Sequence, residues 1–301
     1  MNELLLILSL SIFGTLTFYA YTRWIPIYYA RRDTEVPAPA AKRTDLLFGY
    51  YGALGEQIAE TKDHVNLFWS IQFEGIDKLV QNIREAAMPT VIDVSHQMTE
   101  RDANGKAFVR GDASRRLHEL LSRLEAEGVL HHVIGFTPGD EPNSQFRSVL
   151  DWSNACSIIR IVCTQFSALA DVKIVLLLNG AAPMENWVPH GDWIGFNCYN
   201  RKSSIFQQAS KWPPKWDGEY TKLRKWLRPD QRTFLVPGGG YKHDLTPWIN
   251  AAHTYPEVAA VVVFAWADFP ITDEYPDYQG VRSSSVKDAY IAAGRSIVGA
   301  A

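Results

Sequence analysis

LHHVIGFTPGDEPN, residues 130–143, is an apolar run that gives way to Pro-Gly and then to two adjacent carboxylic acids, Asp140 and Glu141, ahead of Pro142. A run of this kind reads as a buried strand of a parallel sheet, and the polar loop after it as the strand's carboxyl end. Carboxyl groups placed there suit acid/base chemistry at the mouth of an α/β barrel. Working outward, strand-like runs lie at 46–51, 65–72 and 89–95 before it, and at 172–179, 192–199, 232–237 and 258–266 after it. With 131–137 they make eight. Between them, Ile76, Leu79, Val80 and Ile83 repeat at helical spacing, and 284–298 reads as a closing helix. Eight strands alternating with helices predict a (β/α)8 TIM barrel. The two prolines and the glycine of AAPMENWVPHG (181–191) leave little room for a regular helix. No glycine-rich phosphate loop follows the first strand, which argues against an open doubly wound sheet.

The chain has 301 residues, 47% hydrophobic and 21% charged, enough for one substantial core, and we place one domain at 45–301. A net charge of -3 supplies no basic field for phosphates, so no nucleic-acid partner is expected. Cys156, Cys163 and Cys198 are too few and scattered for a disulfide framework or zinc site, and are expected to be buried and reduced. Leu4 to Thr22 carries no charge and is long enough to cross a bilayer, so residues 1–24 read as a single-pass membrane anchor and 25–44 as a linker. Glu3, with no Lys or Arg before the apolar run, argues against a cleaved signal peptide. Arg23, Arg31, Arg32, Lys42 and Arg43 follow the span, which by the charge rule puts the domain in the cytoplasm. Domains on such anchors also face outward, so the side of the membrane stays open.

In a barrel of this class the active site sits at the carboxyl ends of the strands. Polar and aromatic residues gather there. The candidate substrate-binding residues are Tyr50 from the first strand, Asp93 and His96 from the third, Asn179 from the fifth, Asn197 and Tyr199 from the sixth, Tyr241 after the seventh, and Trp266 and Asp268 after the eighth. His131 and His132 stand at the entry end of the fourth strand, the stability face. The sequence has no HxH on the first strand and no HExxH, so neither metal nor other cofactor is expected. It also lacks a GxSxG nucleophile elbow. Gly238 to Gly240 read as a flexible substrate loop.

Three segments, GDEPN at 139–143, DWIGFNCYN at 192–200 and VVVFAWADFP at 261–270, resemble the (β/α)8 glycoside hydrolases, a broad group whose fourth strand ends in a catalytic Glu followed by Pro. The resemblance implies a carbohydrate substrate, Glu141 as general acid/base, and a sugar-stacking Trp266. Two departures matter. Asp140 stands where many members have Asn, and no carboxylate lies between Thr233 and His243, where retaining members carry a nucleophilic Glu. The Asp-Glu pair is similar instead to that of barrel hexosaminidases that use the substrate's 2-acetamido oxygen as nucleophile. On that likeness Asp140 is the polariser, Glu141 the acid/base and Tyr199 a hydrogen-bond donor. An inverting scheme with Asp93 or Asp268 as base is equally compatible, because the spacing of the carboxyl groups decides it. Competing readings are a loop carboxylate that caps the next helix and a carbohydrate-binding barrel without catalysis.

Overall fold

The computed structural model describes residues 43–52, 55–70, 75–180, 182–197, 214–239, 244–268 and 280–299. The expected anchor, residues 1–24, lies outside them, as do residues 25–42 of the linker, Tyr199 and Tyr241. Among the described residues no helix is long and apolar enough to cross a membrane.

Ten strands are described: β1 Leu47–Tyr50, β2 Leu67–Ser70, β3 Thr90–Asp93, β4 Thr99–Arg101, β5 Ala107–Val109, β6 Val133–Thr137, β7 Lys173–Asn179, β8 Trp193–Asn197, β9 Arg232–Leu235 and β10 Val258–Val263. Eight of them close a parallel barrel in the order β1-β2-β3-β6-β7-β8-β9-β10, with β10 returning to β1. These eight match the eight expected runs. Their sequences are apolar on both faces, as parallel strands covered by helices require; all six residues of β10 (VAAVVV) are buried.

Alternation along each strand divides the core in two. Residues facing the barrel axis form one cluster, with Tyr51, Trp69, Val91, Leu177, Phe234 and Val262 among its members. Glycines make room for the large rings: a Cβ on Gly195 of β8 would lie 2.4 Å from the Phe234 ring. Residues facing outward, such as Phe48, Ile92, Phe136, Leu176 and Val261, pack against the surrounding helices. In the helix Ala113–Ala126, Leu117, Leu120, Leu121 and Leu124 repeat at helical spacing and all reach zero exposure. The helix Val149–Cys163 starts at Ser148, whose hydroxyl oxygen accepts the Asp151 N–H at 3.1 Å. The closing helix runs from Lys287 to Val298 and ends at Gly299 in the left-handed region.

The connection at 181–191 forms no α-helix among its described residues, only a 3-10 turn at Val188–His190. One element was not anticipated. Between the short helix Ser95–Met98 that follows β3 and the helix Ala113–Ala126, β4 and β5 pair as an antiparallel hairpin, Thr99 opposite Val109 and Arg101 opposite Ala107. Its signal in the sequence is the Asp102-Ala-Asn-Gly105 turn, in which the Asp102 carboxylate accepts the backbone N–H groups of Asn104 and Lys106.

Candidate active site

The loop after β6 carries Asp140 and Glu141 to the carboxyl-end mouth of the barrel. Glu141 sits in the left-handed region, φ 40° and ψ 54°, which costs a non-glycine residue roughly 1–2 kcal/mol. Pro142 then opens a single helical turn, Pro142–Gln145, to which the Glu141 side chain gives no capping bond. The carboxylate is used across the mouth instead. Asn179 Nδ2, at the end of β7, donates to Glu141 Oε2 at 2.9 Å, and Asn197 Nδ2, at the end of β8, donates to Oε1. The Ser144 hydroxyl reaches Oε2 at 3.3 Å. Asn143 fixes the loop itself: its side chain accepts the Asn179 N–H and donates to the Asn179 carbonyl, both at 2.8 Å.

Asp140 faces the other way, into a cleft of about 540 Å3 lined by Tyr51, Asp93, His96, Arg101, Phe146 and Phe264 among others. Its Oδ1 is buried and has no hydrogen-bond partner among the described residues. Burial first, then the charges of Glu141 and Asp93, raise its pKa to about 7; hydrogen bonds from Tyr51 and the Glu141 backbone act in the opposite direction. Burial likewise raises Asp93, against hydrogen bonding from Ser95 and the charge of His96. The Ser95 N–H meets Asp93 Oδ1 at 2.7 Å.

The β4–β5 hairpin forms the outer wall of the cleft. Three bonds tie it to the segment after Glu141: Arg101 Nη2 to Gln145 Oε1 at 3.0 Å, Lys106 Nζ to the Ser144 carbonyl at 2.6 Å, and the Arg147 N–H to the Ala107 carbonyl at 2.9 Å.

Of the residues read from the sequence, Asp93, His96 and Asp140 line the cleft, and Asn179 and Asn197 hold Glu141. Tyr50, Trp266 and Asp268 are placed elsewhere. Tyr50 points out of the barrel, its hydroxyl 3.2 Å from His64 Nε2 and its ring centroid 5.0 Å from that of Trp266. Trp266 is 1% exposed and donates from Nε1 to Glu60 Oε2 at 2.8 Å. Asp268 accepts the Gly280 N–H and the Ser283 hydroxyl, one on each oxygen, so it closes a loop. Among the described residues, Tyr51, Phe146 and Phe264 bring aromatic rings to the cleft, and none of them is among the candidate substrate-binding residues.

This placement has a measurable consequence. Tyr50→Phe should cost about 1 kcal/mol of stability in chemical denaturation, from one lost buried hydrogen bond, and Trp266→Phe more, because the smaller ring also leaves a cavity. Neither should change sugar binding, read by calorimetry.

No protein-family model and no curated protein sequence matches the chain. Solved structures do. A β-glucuronidase from an uncultured Clostridium species superposes with a TM-score of 0.55 at 12% identity, over 83% of this chain and 50% of that one. A GH2 β-galacturonidase from Eisenbergiella tayi, bound to galacturonate, superposes with a TM-score of 0.53 at 7% identity, over 86% of this chain and 52% of that one. The chain thus spans about half the length of each. At this identity the likeness is one of fold, an eight-stranded parallel barrel that this chain shares with glycoside hydrolases.

Proposed function

We propose that the barrel mouth cleaves O-glycosidic bonds of a polysaccharide or glycan, with Glu141 as general acid/base and Asp140 as its partner. The observation that carries the reading is the double anchoring of Glu141. Amides from the ends of β7 and β8 each hold one of its oxygens, while a left-handed backbone keeps it beside a second, enclosed carboxyl group. Such preorganisation, retained at a backbone cost, holds a proton acceptor in place, the base half of the acid/base role. The barrel shared with glycoside hydrolases supports the same reading. For an inverting scheme Asp93 is the better base than Asp268, because Asp93 lines the cleft and both oxygens of Asp268 are engaged by the 280–283 segment. We also propose that residues 1–24 anchor the domain to a membrane, on either side.

A non-catalytic carbohydrate-binding barrel is the second reading. It is favoured by the end of β9, where Val236-Pro237-Gly238-Gly239 offers no carboxylate among the described residues. A panel of glycans that includes N-acetylhexosamine polymers, assayed with wild type and Glu141→Gln, separates the two. Turnover should fall about a hundredfold or more in Glu141→Gln, the usual contribution of a general acid. Unchanged turnover in that variant removes Glu141 from the chemistry, and binding without turnover in the wild type leaves the second reading.

A further inference from the structure

Asn143 closes the GDEPN segment, and the chemistry proposed above gives it no part. Its side-chain bonds all leave the helical turn Pro142–Gln145 in which it stands. Both ends of the amide go to one residue at the end of β7: Oδ1 accepts the Asn179 N–H and Nδ2 donates to the Asn179 carbonyl, each at 2.8 Å. Nδ2 also lies 3.5 Å from the Ala182 carbonyl oxygen and 3.4 Å from that of Pro183.

Strand lengths explain why Asn179 has this partner. β6 pairs with β7 at Gly135–Lys173 and Phe136–Ile174 and ends at Thr137, whereas β7 runs on to Asn179. Continuing that register would put Thr137 level with Val175, well short of Asn179. A side-chain amide carries an acceptor and a donor as a peptide group does, so Asn143 takes the place of the strand that has ended. On its other flank β7 is still paired, with Asn179 opposite Asn197 and the Gly180 N–H on the Asn197 carbonyl at 2.8 Å. The end of β7 therefore keeps one fixed flank without Asn143, and Asn143 supplies the second.

Asn179 is also the residue whose Nδ2 holds Glu141 Oε2 at 2.9 Å. Glu141 grips it by the side chain and Asn143 by the backbone, and Pro142 stiffens the turn between them. With its backbone fixed, Asn179 has only its two side-chain torsions with which to place the amide. We infer that Asn143 is a positioning residue, which acts through Asn179 to set the Glu141 carboxylate. The inference rests on the reading of Glu141 as general acid/base.

The test uses the full-length protein, isotope-labelled and without ligand, and follows the Asn179 side-chain amide by NMR, assigned by its loss in Asn179→Asp. Glu141→Ala removes the acceptor and defines the signal of a released amide. Asn143→Ala should move the signal about halfway or more to that position and speed its exchange with water about tenfold. The Trp266 indole signal, from a ring that donates to Glu60 away from the cleft, should stay in place. Asn143→Asp keeps the acceptor for the Asn179 N–H and loses the donor; it should move the signal the same way, and it carries the test if Asn143→Ala does not fold. An unmoved Asn179 signal overturns the inference, and so does a Trp266 signal that moves with it, since general loosening would explain both. On any glycan of the panel above that the wild type cleaves, Asn143→Ala should lower kcat about tenfold with KM changed by less than about twofold. In the Glu141→Gln background the same substitution should cost less than about twofold, because it acts through that carboxylate. Equal losses in the two backgrounds overturn the inference. Glu141-dependent turnover indifferent to Asn143 would keep the proposed function and reject this role. A released Asn179 amide in Asn143→Ala, with no glycan cleaved by the wild type, would do the reverse.

Discussion

Asp140→Asn should be more stable than the wild type at about pH 8 and equal to it at about pH 4, with the gap opening between those values. The sign follows from the direction of the shift. The folded protein raises the Asp140 pKa from 3.8 to about 7, so the folded state holds the proton more tightly than the unfolded chain does. Stability linked to this proton is complete below the unfolded value and is lost as pH rises through the folded one. At roughly 1.4 kcal/mol per pKa unit, the full difference is on the order of 4 kcal/mol at alkaline pH. That corresponds to a rise in melting temperature on the order of 10 °C for a domain of this size. Asparagine keeps the shape of the side chain and never ionises, so it removes the penalty without opening a cavity. Thermal melts of both proteins across the pH range check this, and parallel curves would mean that the carboxyl group is solvated.

Gly195→Ala should destabilise the barrel by about 3 kcal/mol, at the upper end for overpacking. The new methyl group would fall 2.4–2.7 Å from three atoms of the Phe234 ring. That ring has nowhere to go, since it packs on Trp69 with centroids 5.4 Å apart inside the barrel. Phe234→Leu alone should also destabilise, by leaving a cavity, but the double variant should be more stable than the two single losses added together predict. Urea denaturation of the four proteins measures that coupling. Because Asn197 lies two residues further along β8 and holds Glu141, any displacement of the strand should appear as lost activity as well.

The barrel was legible because its strands are short apolar runs separated by amphipathic stretches. β7 (KIVLLLN) and β10 (VAAVVV) are short, largely apolar runs rich in β-branched residues and Leu, as strands covered on both faces require. The Asp-Glu pair was legible by position, at the polar end of β6. Side-chain direction was not. Tyr50 and Tyr51 are neighbours at the end of β1, and the two-residue period sends one into the helix layer and the other to the cleft. Composition cannot tell which, because both are tyrosine. The placement of Trp266 was hidden for a different reason: the strand ends at Val263, so alternation no longer governs where the ring points three residues on. Charge environment was hidden too. Asp140 and Glu141 are adjacent acids in the sequence, but one is enclosed and the other is held by two amides contributed by strands 38 and 56 residues away.

The hairpin of β4 and β5 shares three hydrogen bonds with residues 144–147, directly downstream of the two acids. Loop length is therefore a poor lever for redesigning selectivity in this protein. Shortening, lengthening or grafting the hairpin would drag on the segment that sets the acids, so a library built that way would lose chemistry together with preference. Side-chain exchange at Thr99, which faces the same cleft without joining those three bonds, alters the wall and leaves its moorings in place.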